Sequence, residues 1–294
     1  MRNDAPTFPI FPIVLAVLAL LAGCRPAEPP RSGAATIRPA SLDPEAVRRG
    51  AYLVRTANCG GCHTAGKTGA PFAGGVALKT SFGTFYSRNI TPDPVRGIGA
   101  WSDSDFIRAL RQGISPAGDF YYPAFPFPSF TGMTDRDLLD IKAYLFSQTP
   151  SSRANRPADT ALPRFTLAAW RALEFRPGPM PPEPRGAYLA NAVAHCGECH
   201  TPRDMLGGLK NDRRFTGAPV EGTGKVAPNI TQDRAHGIGN WSQADILAVL
   251  TTGMKPNGDF VDAPMSEVVD ATAKLTDSDR GALAAYIKSV PAGR

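Results

Sequence analysis

The chain has 294 residues, with 32 lysines and arginines against 26 aspartates and glutamates, 43% hydrophobic residues, 29 glycines, 29 prolines and 5 cysteines. This length and apolar content suffice for two domains and exclude a disordered or collagen-like chain. The one long apolar run lies at the N-terminus, which excludes a polytopic membrane protein. The net charge of +6 favours acidic or anionic partners without choosing among nucleic acid, membrane and protein.

The N-terminal residues have the pattern of a secretory signal, because an apolar run over residues 8–22 is short for a bilayer span. Residues 21–24, Leu-Ala-Gly-Cys, resemble the lipobox of bacterial lipoproteins. The resemblance implies a signal peptide over residues 1–23, acylation of Cys24, and a flexible tether over residues 24–40 that holds the protein to a bacterial membrane on its periplasmic side. The alternative is an ordinary secretory signal or an uncleaved anchor with an incidental cysteine. In either case the protein leaves the cytoplasm.

The rest of the sequence contains a long internal repeat, which predicts two duplicated domains rather than a solenoid. We predict domains over residues 41–150 and 183–294. A linker over residues 151–182 joins them, with a short amphipathic helix that packs on both. The recurring segments are residues 49–53 and 185–189, 59–64 and 196–201, 89–91 and 229–231, 97–102 and 237–242, and 118–120 and 258–260.

Helical patterns dominate each copy, and no strand of convincing length is evident. Apolar residues three and four apart predict one buried face in each closing helix. Thr134 and Thr276 are the expected N-caps of these two helices, because aspartates follow them in the first turn. Gly50 and Gly186 lie in the opening helices, where we expect the closing helices to cross closely. The predicted fold class is all-α, with long Gly/Pro-rich loops.

Two Cys-x-x-Cys-His motifs, at residues 59–63 and 196–200, carry the strongest functional signal. This motif is the attachment signature of c-type haem, since two thiols three positions apart each bond one vinyl group and the adjacent histidine reaches the iron. A redox dithiol needs no histidine, and a zinc site needs four ligands close together. The predicted thioether residues are Cys59, Cys62, Cys196 and Cys199, and the predicted iron ligands are His63 and His200.

Both copies resemble class I cytochrome c domains, and their order resembles the dihaem cytochromes c. The chain is also similar to the cytochrome c subunits of membrane-bound quinoprotein-type alcohol and aldehyde dehydrogenases. The resemblance implies two covalent haem c groups that pass single electrons from a dehydrogenase or other donor to a respiratory oxidase or soluble carrier. Those subunits usually carry three haem lobes, whereas this chain has two motifs. The resemblance therefore does not identify the partner enzyme.

The sixth iron ligand distinguishes two functions: a bound ligand favours electron transfer, and an open position allows chemistry at the iron. Met265 lies five residues after Phe260, at the position of the family's axial methionine, with a core methionine as the alternative. The same count in the first copy reaches Phe125, which cannot bind iron. Met133 is the remaining candidate there; another ligand or a five-coordinate iron is the alternative.

Two functional hypotheses follow from these patterns. In the first, the protein is a dihaem electron carrier without chemistry of its own. In the second, it is a dihaem oxidoreductase with an open catalytic haem in the first lobe, although no general base is evident near the first motif. Binding to nucleic acid is not expected, because no dense basic run is present and the protein is exported.

Overall fold

A computed structural model describes residues 43–293 of the chain. The predicted signal peptide, Cys24 and the tether lie outside the described residues. The first lobe contains α1 (Pro44–Thr56), α2 (Cys59–His63), β1 (Ala77–Thr80), β2 (Gly83–Tyr86), α3 (Asp103–Gln112), α4 (Phe127–Phe130) and α5 (Asp135–Phe146). Helix α6 (Thr166–Glu174) lies in the segment that joins the lobes.

The second lobe repeats this order of helices and hairpin. It contains α7 (Arg185–Tyr188), a π-helical turn (Leu189–Val193), α8 (Gly197–His200), a 3₁₀ turn (Asn211–Arg213), β3 (Ala218–Val220), β4 (Lys225–Ala227), α9 (Gln243–Thr252), α10 (Met265–Thr272) and α11 (Asp277–Ser289). The buried side chains of both lobes form one continuous hydrophobic core. Among residues 43–293, no helix combines the length and the apolar content needed to cross a bilayer.

Helix boundaries follow the local sequence. The Thr134 and Thr276 hydroxyls each accept a bond from the backbone N–H three residues later, at 3.1 Å, which confirms both predicted N-caps. Ser102 and Ser242 cap α3 and α9 in the same way, and in both an aspartate at the third helical position bonds back to the serine N–H.

The all-α fold class is confirmed, although the structure contains two antiparallel hairpins that the sequence patterns do not predict. Strands β1 and β2 have four residues each, and β3 and β4 have three. Runs this short are below the length at which alternation of polar and apolar residues is recognisable. The aromatic, proline-rich loop over residues 120–130 also contains one helical turn, α4.

Glycine allows the opening and closing helices of each lobe to cross at short distance, as predicted. A Cβ on Gly50 would lie 1.8 Å from the Asp140 carbonyl oxygen. On Gly186 it would lie 2.0 Å from the carbonyl oxygen of Ala282. Both distances are far below van der Waals contact, so only glycine fits at these two crossings.

The two lobes differ by one residue between the crossing and the motif. Seven positions separate Tyr52 from Cys59, and eight separate the equivalent Tyr188 from Cys196. The second lobe accommodates the additional residue as the π-helical turn that continues α7.

Helix α6 fastens the joining segment to both lobes. The Trp170 indole N–H donates to the Leu206 carbonyl of the second lobe at 3.0 Å. On the first lobe, the rings of Trp170 and Phe175 pack edge-on against Phe127, and the Arg171 guanidinium donates to the Gln112 carbonyl. The predicted short helix therefore packs on both lobes.

Replacement of either crossing glycine by alanine is expected to destabilise the protein by about 1–3 kcal/mol or more, because the Cβ forces the closing helix away. Gly281 of α11 supplies the control, since a Cβ added there would meet no atom within 4 Å. G281A is expected to gain about 0.5–1 kcal/mol through helix propensity. Urea unfolding of G50A, G186A and G281A measures all three; equal stability of G50A and G281A would contradict the close crossing.

Candidate cofactor sites at the paired motifs

The first motif forms the short helix α2, which follows a left-handed residue, Asn58, at φ 49°. The His63 Nδ1 lies 2.6 Å from the carbonyl oxygen of Arg88. Because a carbonyl only accepts, Nδ1 carries the hydrogen and Nε2 keeps a free lone pair. Burial lowers the pKa of His63, which favours the neutral, ligating imidazole.

The second motif repeats this arrangement. His195 takes the place of Asn58, at φ 40°, and the His200 Nδ1 lies 2.8 Å from the carbonyl oxygen of Pro228. Burial lowers the pKa of His200 as well. Both histidines are therefore fixed in the tautomer that leaves Nε2 available to a metal, with the backbone carbonyl as the orienting group.

None of the four motif cysteines is in a disulfide. Burial raises the pKa of Cys59 to about 12 and that of Cys196 to about 11. It also raises the pKa of Cys62 and Cys199. In each lobe, two cysteines and a histidine with an available Nε2 lie within one helical turn, which fits a porphyrin bonded at two points and ligated from one face.

An orphaned donor lies beside the second motif. The Arg214 Nε is buried and has no hydrogen-bond partner among the described residues. The guanidinium lies 5.1 Å from the centre of the Phe215 ring, and its charge lowers the pKa of Cys196, which burial raises. Such a donor fits an acceptor group of a bound cofactor. The equivalent position in the first lobe is Pro71, so the repeat itself gives no signal for Arg214.

The structure places the candidate sixth ligands differently in the two lobes. Met265 is the first residue of α10 and is half-buried. Met133 is completely buried before the cap of α5, in the same core as Phe125. Sequence reasoning did not consider Met180, which has no counterpart in the repeat. The Met180 backbone N–H donates to the Gly132 carbonyl at 3.0 Å. This bond brings Met180 next to Met133, which follows Gly132 in the sequence.

Two tyrosines at equivalent positions of the repeat link the lobes reciprocally. The Tyr52 hydroxyl of the first lobe donates to the Asp279 carboxylate of the second at 2.7 Å. The Tyr188 hydroxyl of the second lobe donates to the Asp137 carboxylate of the first. Each hydroxyl also accepts the backbone N–H of the facing N-cap threonine. The opening helix of each lobe therefore contacts the start of the other lobe's closing helix.

This reciprocal packing brings the two motifs together at the boundary between the lobes. The His195 Nε2, one residue before the second motif, lies 3.2 Å from the carbonyl oxygen of Ala57, two residues before the first. Among residues 43–293, no three His, Cys, Asp or Glu side chains form a cluster that holds a metal ion by itself.

Two thioether-competent motifs, each with an available histidine Nε2 and set in an all-α lobe, define a c-type cytochrome. The cytochrome c family model matches residues 47–149 and 185–291, and the chain belongs to the cytochrome c family.

Several relatives are similar over most of this chain. A diheme cytochrome c-type protein of Cereibacter sphaeroides is 40% identical over 285 residues, which cover 89% of this chain and 95% of the relative. The cytochrome c subunit of a quinone alcohol dehydrogenase from Gluconacetobacter polyoxogenes is 37% identical, over 88% of this chain and 59% of the subunit. The gluconate 2-dehydrogenase cytochrome c subunit of Pantoea cypripedii is also 37% identical, over 84% and 60%.

These matches establish the cofactor and the class of function. The chain carries two covalently bound haem c groups, functions in electron transfer and is extracytoplasmic. It spans nearly the whole Cereibacter protein but about three-fifths of each dehydrogenase subunit.

The reciprocal link between the lobes is expected to weaken in acid. Burial raises the pKa of Asp279, but the bonds from Arg185 and Tyr52 outweigh it and lower the pKa below the ordinary 3.8. Because the pKa of Asp279 is lower in the folded than in the unfolded protein, its bonds contribute to the stability of the fold. This contribution is complete above pH 3.8 and is lost as the pH falls through the folded-state pKa.

We expect D279N to lose about 1–2 kcal/mol at pH 7, an amount reduced by solvent screening, and to converge with the parent protein in strong acid. D277N is the matched control: Asp277 lies in the same helical turn, and because its side chain is 97% exposed, its ion pair with Arg280 is expected to contribute little. Urea unfolding across the acid range checks both variants; a difference between D279N and the parent that does not depend on pH would contradict the assignment.

Proposed function

We propose that the protein passes single electrons between its two haem sites, from a dehydrogenase on one side to a respiratory oxidase or soluble carrier on the other. The observation that carries this proposal is the position of the motifs at the lobe boundary, where the His195 side chain of the second lobe bonds to the Ala57 backbone of the first. A short path between the sites is what a two-centre electron carrier requires.

The residues have separate roles in this proposal. Cys59, Cys62, Cys196 and Cys199 form the thioethers, and His63 and His200 bind iron through Nε2. Met265 is the sixth ligand in the second lobe and Met133 in the first. When bound, each haem supplies an iron that alternates between the ferrous and ferric states. The backbone carbonyls of Arg88 and Pro228 hold the two imidazoles in place during this change.

Relatives support a dehydrogenase as the donor, because two of them are cytochrome c subunits of alcohol and gluconate dehydrogenases. Matches to residues 47–149 and 185–291 support a division into domains at 41–150 and 183–294, with 151–182 as the linker. The lipobox-like sequence supports acylation of Cys24 after removal of residues 1–23. A tether over residues 24–40 then holds the protein at the periplasmic face of a membrane.

A second function, oxidoreductase chemistry at an open first haem, is favoured by one observation. Phe125 occupies the position that Met265 has in the second lobe, and Met133 lies eight residues further along the chain. Carbon monoxide distinguishes the two functions. Rapid stoichiometric binding at one haem of the reduced parent protein supports the open site, whereas no binding supports a six-coordinate carrier.

Loss of either cysteine pair is expected to remove one haem. We expect the C59A/C62A and C196A/C199A proteins each to retain one covalent haem, measured by intact mass and by the pyridine haemochrome spectrum. A protein that keeps two covalent haems after loss of a pair would contradict the assignment of that motif. The parent protein, with both pairs intact, is the reference for two haems.

Loss of an axial methionine is expected to lower the midpoint potential of one haem by on the order of 100 mV and to admit carbon monoxide there. We predict this for M265A in the second haem and for M133A in the first. M205A is the matched control, since the Met205 side chain is 94% exposed. Redox titration with optical detection measures the change; an M133A protein that titrates like M205A would assign the first haem another ligand or none.

A further inference from the structure

A pocket of about 510 Å³ on the first lobe concentrates positive charge that is dispersed in the sequence. We call it the arginine pocket. Its lining includes Arg88, Arg96, Arg164, Tyr122, Asn155 and Thr160, and no acidic residue. Two chain segments supply the arginines: the loop after β2, and the segment that joins the lobes. Because these segments are far apart in sequence, the absence of a dense basic run does not reveal the pocket.

The charges of the pocket are not neutralised within the described part of the chain. Arg88, Arg96 and Arg164 are exposed and form no ion pair among residues 43–293. Asp93 is a nearby carboxylate, and it accepts the backbone N–H groups of Val95 and Arg96 instead of a guanidinium. Guanidinium groups without an ion-pair partner around a concave surface suit carboxylate ligands. Among the three, the Arg164 guanidinium also donates to the Phe120 carbonyl at 2.7 Å.

Hydrogen bonds between the two segments hold the pocket in shape. The Asn155 amide donates to the Arg96 carbonyl at 2.7 Å and accepts the Asn89 N–H at 2.7 Å. The Tyr122 hydroxyl donates to the Leu162 carbonyl at 2.8 Å. The Arg164 guanidinium packs over the Tyr122 ring, 5.2 Å from its centre. The arginines therefore project from a fixed frame and not from a free loop.

The pocket is connected to the first haem site through one residue. Arg88 contributes its side chain to the pocket, and its carbonyl oxygen accepts the His63 Nδ1 bond. A ligand bound to the Arg88 side chain is therefore connected to the His63 imidazole, the proposed iron ligand, through the Arg88 backbone alone.

The arginines that line this pocket are not repeated in the second lobe. In the repeat, Arg88 corresponds to Pro228 and Arg96 corresponds to His236. The third arginine belongs to the joining segment, which the structure fastens to the first lobe by the pairing of Thr84 with Asp159. The arginine pocket therefore belongs to the first lobe and the segment that joins the lobes.

We propose that the arginine pocket docks an acidic surface segment of a redox partner and that electrons exchange with that partner through the first lobe. This inference rests on the proposed function and adds the face and the chemistry of recognition. Clustered charge at a docking face accelerates association and makes it sensitive to ionic strength. The partner segment is expected to present several carboxylates to the three guanidinium groups.

The test compares two pairs of substitutions with the same charge change in the complete holoprotein. R96Q/R164Q removes two charges from the pocket and keeps Arg88, whose carbonyl oxygen holds the His63 imidazole. Of these two side chains, Arg164 alone donates a hydrogen bond within the described residues, to the Phe120 carbonyl. R136Q/R234Q removes two exposed charges elsewhere, and the Arg136 and Arg234 side chains form no bond within residues 43–293. Haem spectra and thermal unfolding verify that both variants fold as the parent protein does.

The first measurement is the binding of a fluorescent octaglutamate peptide, at about 0.01 M and about 0.15 M ionic strength, where the Debye lengths are about 30 Å and about 8 Å. At the lower salt we expect R96Q/R164Q to raise the Kd about three- to tenfold and R136Q/R234Q to change it less than about twofold. Equal weakening by both pairs would overturn the proposal, because net charge alone then explains binding.

The second measurement is the oxidation rate of the fully reduced protein by ferricyanide, an anion, and by tris(phenanthroline)cobalt(III), a cation. We expect R96Q/R164Q to slow the reaction with ferricyanide more than R136Q/R234Q does and to leave the reaction with the cobalt complex unslowed. Equal ferricyanide rates in the two variants overturn docking at the pocket. Complete oxidation of both haems by the cobalt complex shows in the same experiment that electron transfer itself is intact, so failure of the inference is separable from failure of the proposed function.

Discussion

The close crossing of opening and closing helices is the constraint on which this architecture depends. Glycine at Gly50 and Gly186 lets each pair of helices approach to backbone contact, which fixes the direction of the opening helix. Two residues further along that helix, Tyr52 and Tyr188 reach the facing lobe. The motif follows at the helix end, so one steric condition positions both the interface and the cofactor sites.

Features with a local signal could be predicted from the sequence, and contacts without one could not. Helix caps and the histidine-bearing motifs follow from spacing, and the crossings follow from the cost of glycine within a helix. The bond between Tyr52 and Asp279 joins residues 227 positions apart, and nothing in either local pattern indicates the other. The hairpins were not predicted because they are too short for a periodic signal. Arg214 was not predicted because Pro71 replaces it in the first copy.

Duplication produced two lobes with the same frame and different surroundings. The second lobe has Met265 at the expected axial position and an unpaired arginine beside its motif. The first lobe has an aromatic cluster around Phe125, a buried Met133 and the joining segment packed on its surface. These differences lie outside the two Cys-x-x-Cys-His motifs, so the two centres keep a common attachment while their environments differ.

The π-helical turn at Leu189–Val193 has a consequence for how such a duplicated protein changes over time. It absorbs one inserted residue between the crossing and the thiols, so the backbone on either side keeps its register. The additional residue leaves the crossing at Gly186 as close as the one at Gly50, although the two copies differ in length. Tyr188 still reaches the facing lobe as Tyr52 does, so the link between the copies is kept.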